Sequence, residues 1–272
     1  MQPAFAICYD YSTPFEQCVD FAHKAGFRIV SLGAKADYSG YNSAEGRQSI
    51  ARILKERGVG LDNIHNCNGA LATLDPDAHQ QAIQDSIMSI EAAADLGAAK
   101  TVNHLSGAGS APEALPQEID CAKRAIEAML ARARPLGVTV AVENSWTKPY
   151  MAVLGAVLEE FDDPLLGFCY DTSHDQLWAA GEMPALQDYG DRLAVLHVSD
   201  NRGERDDHQP PWEGIIDWQR FASLLGQTGF GGPMLLECVI TNSQFKDLGA
   251  FTREAYARAQ RLSEMTVGAA AG

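Results

Sequence analysis

The sequence predicts a single α/β domain, a (β/α)₈ TIM barrel, on three observations. Its 272 residues are close to the roughly 250 that such a barrel needs. Eight short apolar segments rich in large or β-branched residues alternate with longer amphipathic segments. No stretch between them has the composition of an interdomain linker, so we expect the barrel to span residues 1–265 and the small-residue tail, 266–272, to be frayed.

The predicted strands are short and bounded by polar or turn residues. Their alternation with helical segments implies parallel pairing through right-handed crossovers, and eight such units favour a closed barrel over an open sheet. In chain order the predicted strands are Phe5–Cys8, Arg28–Leu32, Leu61–His65, Thr101–His104, Thr139–Glu143, Leu166–Asp171, Leu193–His197 and Pro233–Glu237.

The predicted helices lie between these strands. The first has Thr13 as its expected N-cap and Pro14 at the first helical position, where a fixed φ and a missing N–H are tolerated. Several others end at or just before a glycine, which accepts the left-handed backbone of a helix end. The predicted helices are Pro14–Lys24, Ala44–Arg57, Asp77–Leu96, Pro112–Arg134, Met151–Glu160, a short broken segment Gln176–Asp188, Trp218–Leu225 and Phe251–Met265.

The composition argues against several classes of protein. A formal charge of −15 disfavours a nucleic acid partner or an anionic membrane surface. The first residues contain no basic segment followed by an apolar one, and the chain has no run of about 18 apolar residues, so we expect neither a secretory signal nor a transmembrane helix. The six cysteines form no C-x-x-C pair, which indicates reduced thiols in a cytoplasmic protein.

Histidines and carboxylates gather where the predicted strands end. The active site of a TIM barrel is built from those ends and the loops that follow them. A single histidine there is more often structural than a ligand, but a barrel brings all its strand ends to one rim. The residues are His65, His104, Glu143, Asp171, His174, His197, Asp200, His208 and Glu237.

Four of these residues come from four successive strands and form the candidate metal quartet, Glu143, Asp171, His197 and Glu237. Clustered carboxylates repel each other, and burial raises their pKa. A bound cation offsets both effects by favouring the ionised form. Three carboxylates and one imidazole, with no thiolate, suit oxygen-preferring divalent ions better than structural zinc. We therefore expect a divalent metal, Mn²⁺ ahead of Mg²⁺, Co²⁺ or Zn²⁺.

The loop after the seventh predicted strand is the most distinctive polar segment. It is either a lid over the strand ends or a solvated loop, and its first residue, Asp200, either orients His197 or caps the loop. The other residues of interest in it are Arg202, Arg205, Asp206, His208 and Trp212.

A set of short motifs resembles the sugar phosphate isomerase/epimerase family of xylose isomerase-like barrels. The motifs are Val-Glu-Asn at 142–144, Tyr-Asp-Thr-Ser-His at 170–174, Leu-His-Val-Ser-Asp at 196–200, Asp-x-His at 206–208, Glu-Gly-Ile-Ile-Asp-Trp at 213–218 and Leu-Glu at 236–237. They span nearly the whole chain, and their order is specific for the superfamily rather than for one reaction. Family members commonly have Gly-x-Gly before Ile-Asp-Trp, whereas this chain has Trp212-Glu-Gly214, so the loop shape and pocket width need not follow the family.

The resemblance implies a metal-dependent isomerase or epimerase that acts on a sugar, ketose or inosose. The metal would be held by the quartet, and Glu143 and Glu237 would transfer a proton next to the substrate carbonyl through a metal-stabilised enediolate. His174 would contact a substrate oxygen, together with Arg202 or Arg205.

Two tryptophans, Trp146 and Trp212, are candidates to cover the apolar face of the sugar, with ordinary packing at the rim as the alternative. The partner expected from the resemblance is a small-molecule sugar or polyol. A homo-oligomer is compatible with the sequence, which contains no pattern that decides it.

Endonuclease IV, a member of the same superfamily, gives an alternative function. Its trinuclear zinc site would use the quartet together with His65, His104, His174, Asp206 and His208, which otherwise serve as substrate contacts. The charge of −15 disfavours DNA as a substrate. A dehydratase or hydrolase of sugar-like substrates and a non-catalytic sugar-binding barrel are further alternatives, and the number of bound ions, one to three, stays open.

Overall fold

Eight parallel strands form a nearly closed barrel, which confirms the predicted fold class. The computed structural model describes residues 1–109 and 111–270, with side chains described as far as residue 267. The strands are β1 Pro3–Ile7, β2 Ile29–Leu32, β3 Gly60–His65, β4 Lys100–Asn103, β5 Thr139–Glu143, β6 Leu166–Asp171, β7 Leu193–His197 and β8 Met234–Leu236. β1 pairs with both β2 and β8, and a parallel bridge from Val198 to Leu236 joins the far edges.

The outer layer consists of helices, as the alternating pattern predicts. Within the described residues they are α1 Phe15–Ala25, α2 Ala36–Ser39, α3 Ala44–Arg57, α4 Pro76–Leu96, α5 Leu115–Ala133, α6 Lys148–Glu160, α7 Thr172–Ala179, α8 Pro184–Tyr189, α9 Trp218–Gln227 and α10 Leu248–Ala270. None of the helices in this part of the chain is long and apolar enough to cross a membrane.

Some predicted boundaries are wrong for local reasons. Thr13 does not cap α1, because its hydroxyl donates to Asp10 at 2.7 Å, and Pro14 occupies the N-cap position with an extended ψ of 141°. The segment predicted over 176–188 forms two helices, which are separated where Ala180 and Met183 adopt left-handed backbone. α10 continues to Ala270, and residues 271–272 lie outside the described part, so fraying over 266–272 stays a prediction.

A small apolar layer inside the barrel fixes which side chains reach the site. This layer is completely or almost completely buried and consists of Val102, Ala141, Cys169 and Val195. Side chains alternate along a strand, so the residues two positions further along β4 to β7 face the same interior. Those residues, at the C-terminal strand ends, are His104, Glu143, Asp171 and His197.

Candidate metal centre

The predicted quartet converges at the base of the barrel mouth. The ligand atoms of Glu143, Asp171, His197 and Glu237 lie within 4.8 Å of one another, and all four residues are buried. His197 is central, since its Nδ1 atom lies 3.1 Å from Oε1 of Glu143 and 3.0 Å from Oε2 of Glu237. The two glutamates therefore approach one imidazole from β5 and from the end of β8.

Two buried carboxylate oxygens of this quartet are left without a hydrogen-bond donor. Within the described part of the chain, neither Oε2 of Glu143 nor Oδ2 of Asp171 has a hydrogen-bond partner. Buried polar atoms are rarely unsatisfied, because desolvation without a partner is unfavourable. An oxygen-rich set with open lone pairs fits a divalent cation, so these residues could hold one.

The protonation of the quartet supports the same conclusion. Burial acts to raise the pKa of Glu237, but the neighbouring His197 outweighs it and lowers that pKa to about 2. Burial alone would lower the pKa of His197, whereas Cys169, Glu237 and Glu143 raise it well above its ordinary value. In the metal-free protein an imidazolium therefore supplies the positive charge between the glutamates, and a bound metal would displace that proton.

Two further histidines surround the unsatisfied oxygen of Glu143. The Nε2 atoms of His65 and His104 lie 3.4 and 3.5 Å from Oε2 of Glu143. His65 is oriented by its Nδ1, which lies 2.9 Å from the carbonyl oxygen of Asn66. Burial lowers the pKa of His104 to about 4, so this imidazole is neutral at physiological pH and has a lone pair for a ligand.

A third group of side chains is centred on Asp206. Its Oδ2 atom lies 2.7 Å from Nε2 of His208 and 3.3 Å from Nε2 of His174. Nδ1 of His208 lies 3.0 Å from the carbonyl oxygen of Glu237, and Nδ1 of His174 lies 2.8 Å from the carbonyl oxygen of Asn144. Contacts of this kind fix ring orientation in metal and substrate sites.

One cavity of about 590 Å³ opens above these groups. Its lining contains most of the predicted site residues, namely His65, His104, Glu143, Trp146, His174, Asp206, His208 and Glu237. Trp146 lies at the rim with its ring centroid 4.8 Å from that of His174. The cavity also reaches Cys8, Tyr11 and Tyr150, which the sequence analysis did not identify.

Three residues predicted to contact substrate lie away from this cavity. Arg202 and Arg205 are exposed, and neither is among the described residues that line the cavity. Arg205 forms an ion pair with Asp207, with 2.6 Å between Nε and Oδ1. Trp212 packs with a ring centroid distance of 6.0 Å to Trp218 and lies under the guanidinium of Arg261. The structure therefore does not bring the two arginines to the cavity, and it favours simple packing for Trp212.

Asp200 organises the loop after β7 rather than orienting His197. Its Oδ1 accepts from the amides of Asn201 and Ile216, and its Oδ2 accepts from the amide of Trp212 at 2.9 Å. A Cβ added to Gly214 would lie 2.1 Å from the carbonyl oxygen of Asn201, so this loop requires glycine there. The loop-capping interpretation of Asp200 is the one the structure supports.

Tyr150 is the functional candidate that sequence reasoning missed. Its hydroxyl accepts from the amide of Leu105, donates to the carbonyl oxygen of Glu143 and lies 3.4 Å from Nδ1 of His104. Two of these three contacts are with backbone groups, which every residue type has. The pattern of residue types in the sequence therefore does not identify Tyr150. Its position in the first turn of α6, just after a strand-end glutamate, is the only sequence signal.

Comparison with known proteins places the chain in a family. An uncharacterised protein of Sinorhizobium fredii, y4fM, is 25% identical over an alignment of 287 residues, gaps included. The alignment covers 95% of this chain and 92% of that protein. The structure is similar to a D-tagatose 3-epimerase-like protein, with a TM-score of 0.82, 16% identity and coverage of 98% of this chain and 99% of that one.

A second similar structure is the 3-keto-D-glucoside 4-epimerase of E. coli, with a TM-score of 0.78, 15% identity and coverage of 96% and 99% of the two chains. At these identities the structural likeness shows the fold. The family model described as xylose isomerase-like TIM barrel matches residues 19–261. With nearly the whole barrel matched, this chain belongs to the xylose isomerase-like TIM barrel family.

Proposed function

We propose that this protein is a divalent-metal-dependent isomerase or epimerase that moves a proton next to the carbonyl of a sugar, ketose or inosose. The observation that carries the proposal is the buried quartet of Glu143, Asp171, His197 and Glu237, whose ligand atoms lie within 4.8 Å of one another. Epimerases among the similar structures, named for tagatose, psicose and keto-glucoside substrates, support the sugar as substrate class.

The quartet would hold the ion, with Mn²⁺ preferred over Mg²⁺, Co²⁺ or Zn²⁺ for a set of three carboxylates and one imidazole. A bound divalent ion would polarise the substrate carbonyl and stabilise the negative charge that develops on its oxygen. The 590 Å³ cavity above the quartet gives a substrate direct access to it.

Glu143 and Glu237 are the proposed proton carriers. Both flank His197, but they are contributed by strand ends that are not neighbours in the barrel. In the metal-free protein His197 outweighs burial and lowers both carboxyl pKa values, so both groups are ionised at neutral pH. A bound divalent cation would favour the ionised form in place of the imidazolium. One carboxylate would remove the substrate proton, and the other, after taking up a proton from water, would donate it from the opposite side and invert the centre. The first glutamate would then release its proton to water, which restores the starting state.

His174 is the proposed donor to a second substrate oxygen. It lines the cavity, and contacts with Asn144 and Asp206 hold its ring from both nitrogens. Its orientation is thus fixed before substrate arrives, which is the property a positioning contact needs.

Isotope exchange tests the proposal. Wild-type protein loaded with Mn²⁺ is incubated in D₂O with a panel of ketoses and inososes, and deuterium incorporation is followed by mass spectrometry and NMR. We expect exchange next to the carbonyl of at least one substrate and its loss in Glu237→Gln. Absence of exchange across the panel would disprove the proton-transfer mechanism.

A second candidate function is phosphodiester hydrolysis at a site with three zinc ions. The observation in its favour is the presence of two further groups beside the quartet, His65 and His104 on Glu143, and His174 and His208 on Asp206. The charge of −15 argues against a DNA substrate. Elemental analysis of untreated protein separates the two: three zinc ions per chain with cleavage at abasic sites would favour the hydrolase.

A further inference from the structure

The cavity above the metal centre is larger than a single sugar ring needs. Its volume of about 590 Å³ falls within the range of roughly 300–1,000 Å³ that is typical for drug-sized ligands. A single ketose fills only a minor part of this volume, and a disaccharide fills about twice as much of it. A monosaccharide at the base would leave much of this space to water.

The lining changes from buried to exposed along the depth of the cavity. At the base, Glu143, His174 and Glu237 are buried. At the other end, Cys67, Ser106, Trp146 and Thr147 line the same cavity and are exposed. These last four residues, which follow β3, β4 and β5, define the cavity mouth.

The mouth has the chemistry of a sugar-binding surface. Trp146 is 45% exposed, and it is one of few large apolar side chains in the described part of the chain with such exposure. An indole offers a flat apolar face to the C–H groups of a pyranose, and it keeps little conformational freedom to lose on binding. The hydroxyls of Ser106 and Thr147 can exchange hydrogen bonds with sugar hydroxyls.

The described lining lacks the lysine or arginine that usually binds a phosphate. Among its described residues the lining includes no lysine or arginine, while it includes the carboxylates of Glu143, Asp206 and Glu237. Phosphate sites normally contain an arginine, a lysine or a helix N-terminus aimed at the anion. The lysines and arginine adjacent in sequence to lining residues, Lys35, Lys148 and Arg205, are exposed and are not among the described lining residues.

We propose that the cavity mouth is a subsite for a second, uncharged sugar unit, so that the substrate is a glycosylated ketose rather than a free or phosphorylated monosaccharide. The reacting ketose occupies the base beside the quartet, and the glycosyl unit packs on Trp146 within reach of Ser106 and Thr147. This inference rests on the proposed function for the chemistry at the base, and it adds the class of substrate.

The first test compares substrates. Protein loaded with Mn²⁺ is assayed for deuterium exchange with fructose, fructose 6-phosphate and three glycosyl ketoses: maltulose, isomaltulose and lactulose. We expect kcat/KM for at least one glycosyl ketose to exceed that for fructose by about 10-fold, the gain from one aromatic contact plus hydrogen bonds. Fructose 6-phosphate should be the poorest substrate. Exchange of fructose as fast as, or faster than, all three glycosyl ketoses would overturn the inference.

The second test changes the mouth. Trp146→Ala should lower the ratio of kcat/KM for glycosyl ketose to that for fructose by about 3- to 10-fold, and Trp146→Phe should restore most of it. Ser106→Phe, which fills the mouth, should lower the same ratio. Trp212→Phe, a tryptophan outside the cavity, is the matched control and should leave the ratio unchanged. An unchanged ratio in both Trp146→Ala and Ser106→Phe would contradict the subsite.

Equilibrium binding separates this inference from the proposed function. If no sugar exchanges deuterium, the proposed reaction fails, and calorimetric titration of isomaltulose and fructose then decides the subsite. Tighter binding of isomaltulose that Trp146→Ala weakens supports a second sugar unit at the mouth. Equal binding of both sugars, or no binding of isomaltulose, overturns it.

Discussion

The hydroxyl of Tyr150 donates a hydrogen bond of 2.8 Å to the carbonyl oxygen of Glu143. The hydroxyl oxygen of Tyr150 also accepts from the amide of Leu105 at 2.8 Å, so one buried phenol joins the ends of β4 and β5. These are the two strand ends that present His104 and Glu143 to the cavity. The phenol thereby fixes the backbone that aims two candidate ligands, and its bond to Glu143 is to the main-chain carbonyl rather than to the carboxylate.

Removal of this hydroxyl should weaken both the fold and the metal site. Tyr150→Phe leaves the Leu105 amide and the Glu143 carbonyl without their partner, which should lower the free energy of unfolding by about 1–3 kcal/mol. Loss of a residue that positions a ligand should also weaken Mn²⁺ binding by about 10-fold. Urea unfolding and calorimetric titration measure the two effects, with Tyr256→Phe, outside the cavity, as control. Unchanged Mn²⁺ affinity in a destabilised Tyr150→Phe protein would mean that Tyr150 stabilises the fold only.

Asp171 allows metal binding to be removed while a helix cap is kept. Its Oδ1 accepts from the amide of His174 at the N-terminus of α7, and asparagine caps helices about as well as aspartate. Mn²⁺ at about 100 times its Kd should stabilise the wild type by about 2.7 kcal/mol, which corresponds to a rise in Tm of about 5 °C or more. Asp171→Asn should lose most of that rise.

The matched control for this experiment is Asp217→Asn. Asp217 caps α9 through the amides of Gln219 and Arg220, and it lies outside the cavity lining among the described residues. Its variant should show the full Mn²⁺-dependent rise in Tm. Equal rises in the Asp171→Asn protein and in the wild type would remove Asp171 from the metal site.

Asp175 should make stability depend on pH. Burial raises the pKa of Asp175 to about 7, against the opposing hydrogen bond from Tyr170. In the unfolded chain an aspartate loses its proton near pH 3.9. Between about pH 4 and 7 the native state therefore binds more protons than the unfolded state, so stability falls as pH rises through this window.

Asp175→Asn mimics the protonated carboxyl and should remove this dependence. Relative to the variant, the wild type should lose up to about 4 kcal/mol of unfolding free energy between pH 4 and 7.5. Urea unfolding of both proteins in the same buffers measures the difference, and the comparison cancels other titrating groups. A constant difference across that range would show that Asp175 is ionised throughout.

The barrel and the quartet were predictable because both follow from periodicity. The alternation that buries Ala141, Cys169 and Val195 also directs the residues two positions further on into the barrel mouth. A barrel then brings those strand ends together whatever the loops do. The bounds of β5, β6 and β7 agree with the sequence prediction for the same reason.

The loop after β7 was not predictable, because its path depends on backbone conformations that residue type does not reveal. His208 and Trp212 both adopt positive φ, 47° and 68°, and these turns send Trp212 toward Trp218 instead of the cavity. Arg205 is drawn to the neighbouring Asp207. The arginines were assigned to the site from the family resemblance, and the folded loop leaves them exposed to solvent.

The same loop is anchored to α10 by a buried ion pair, which gives the last prediction. Arg258 donates to the carbonyl oxygen of Pro211 at 2.6 Å and lies 3.1 Å from Oε1 of Glu213, whose carboxylate also accepts from Ser243 and Gln244. Arg258→Met leaves Glu213 charged and buried, which should lower the unfolding free energy by about 3–5 kcal/mol. Adding Glu213→Gln removes the unpaired charge, so the double variant should be more stable than Arg258→Met alone. Urea unfolding of the four proteins in the cycle measures this coupling, and strictly additive losses would show that the pair does not anchor the loop.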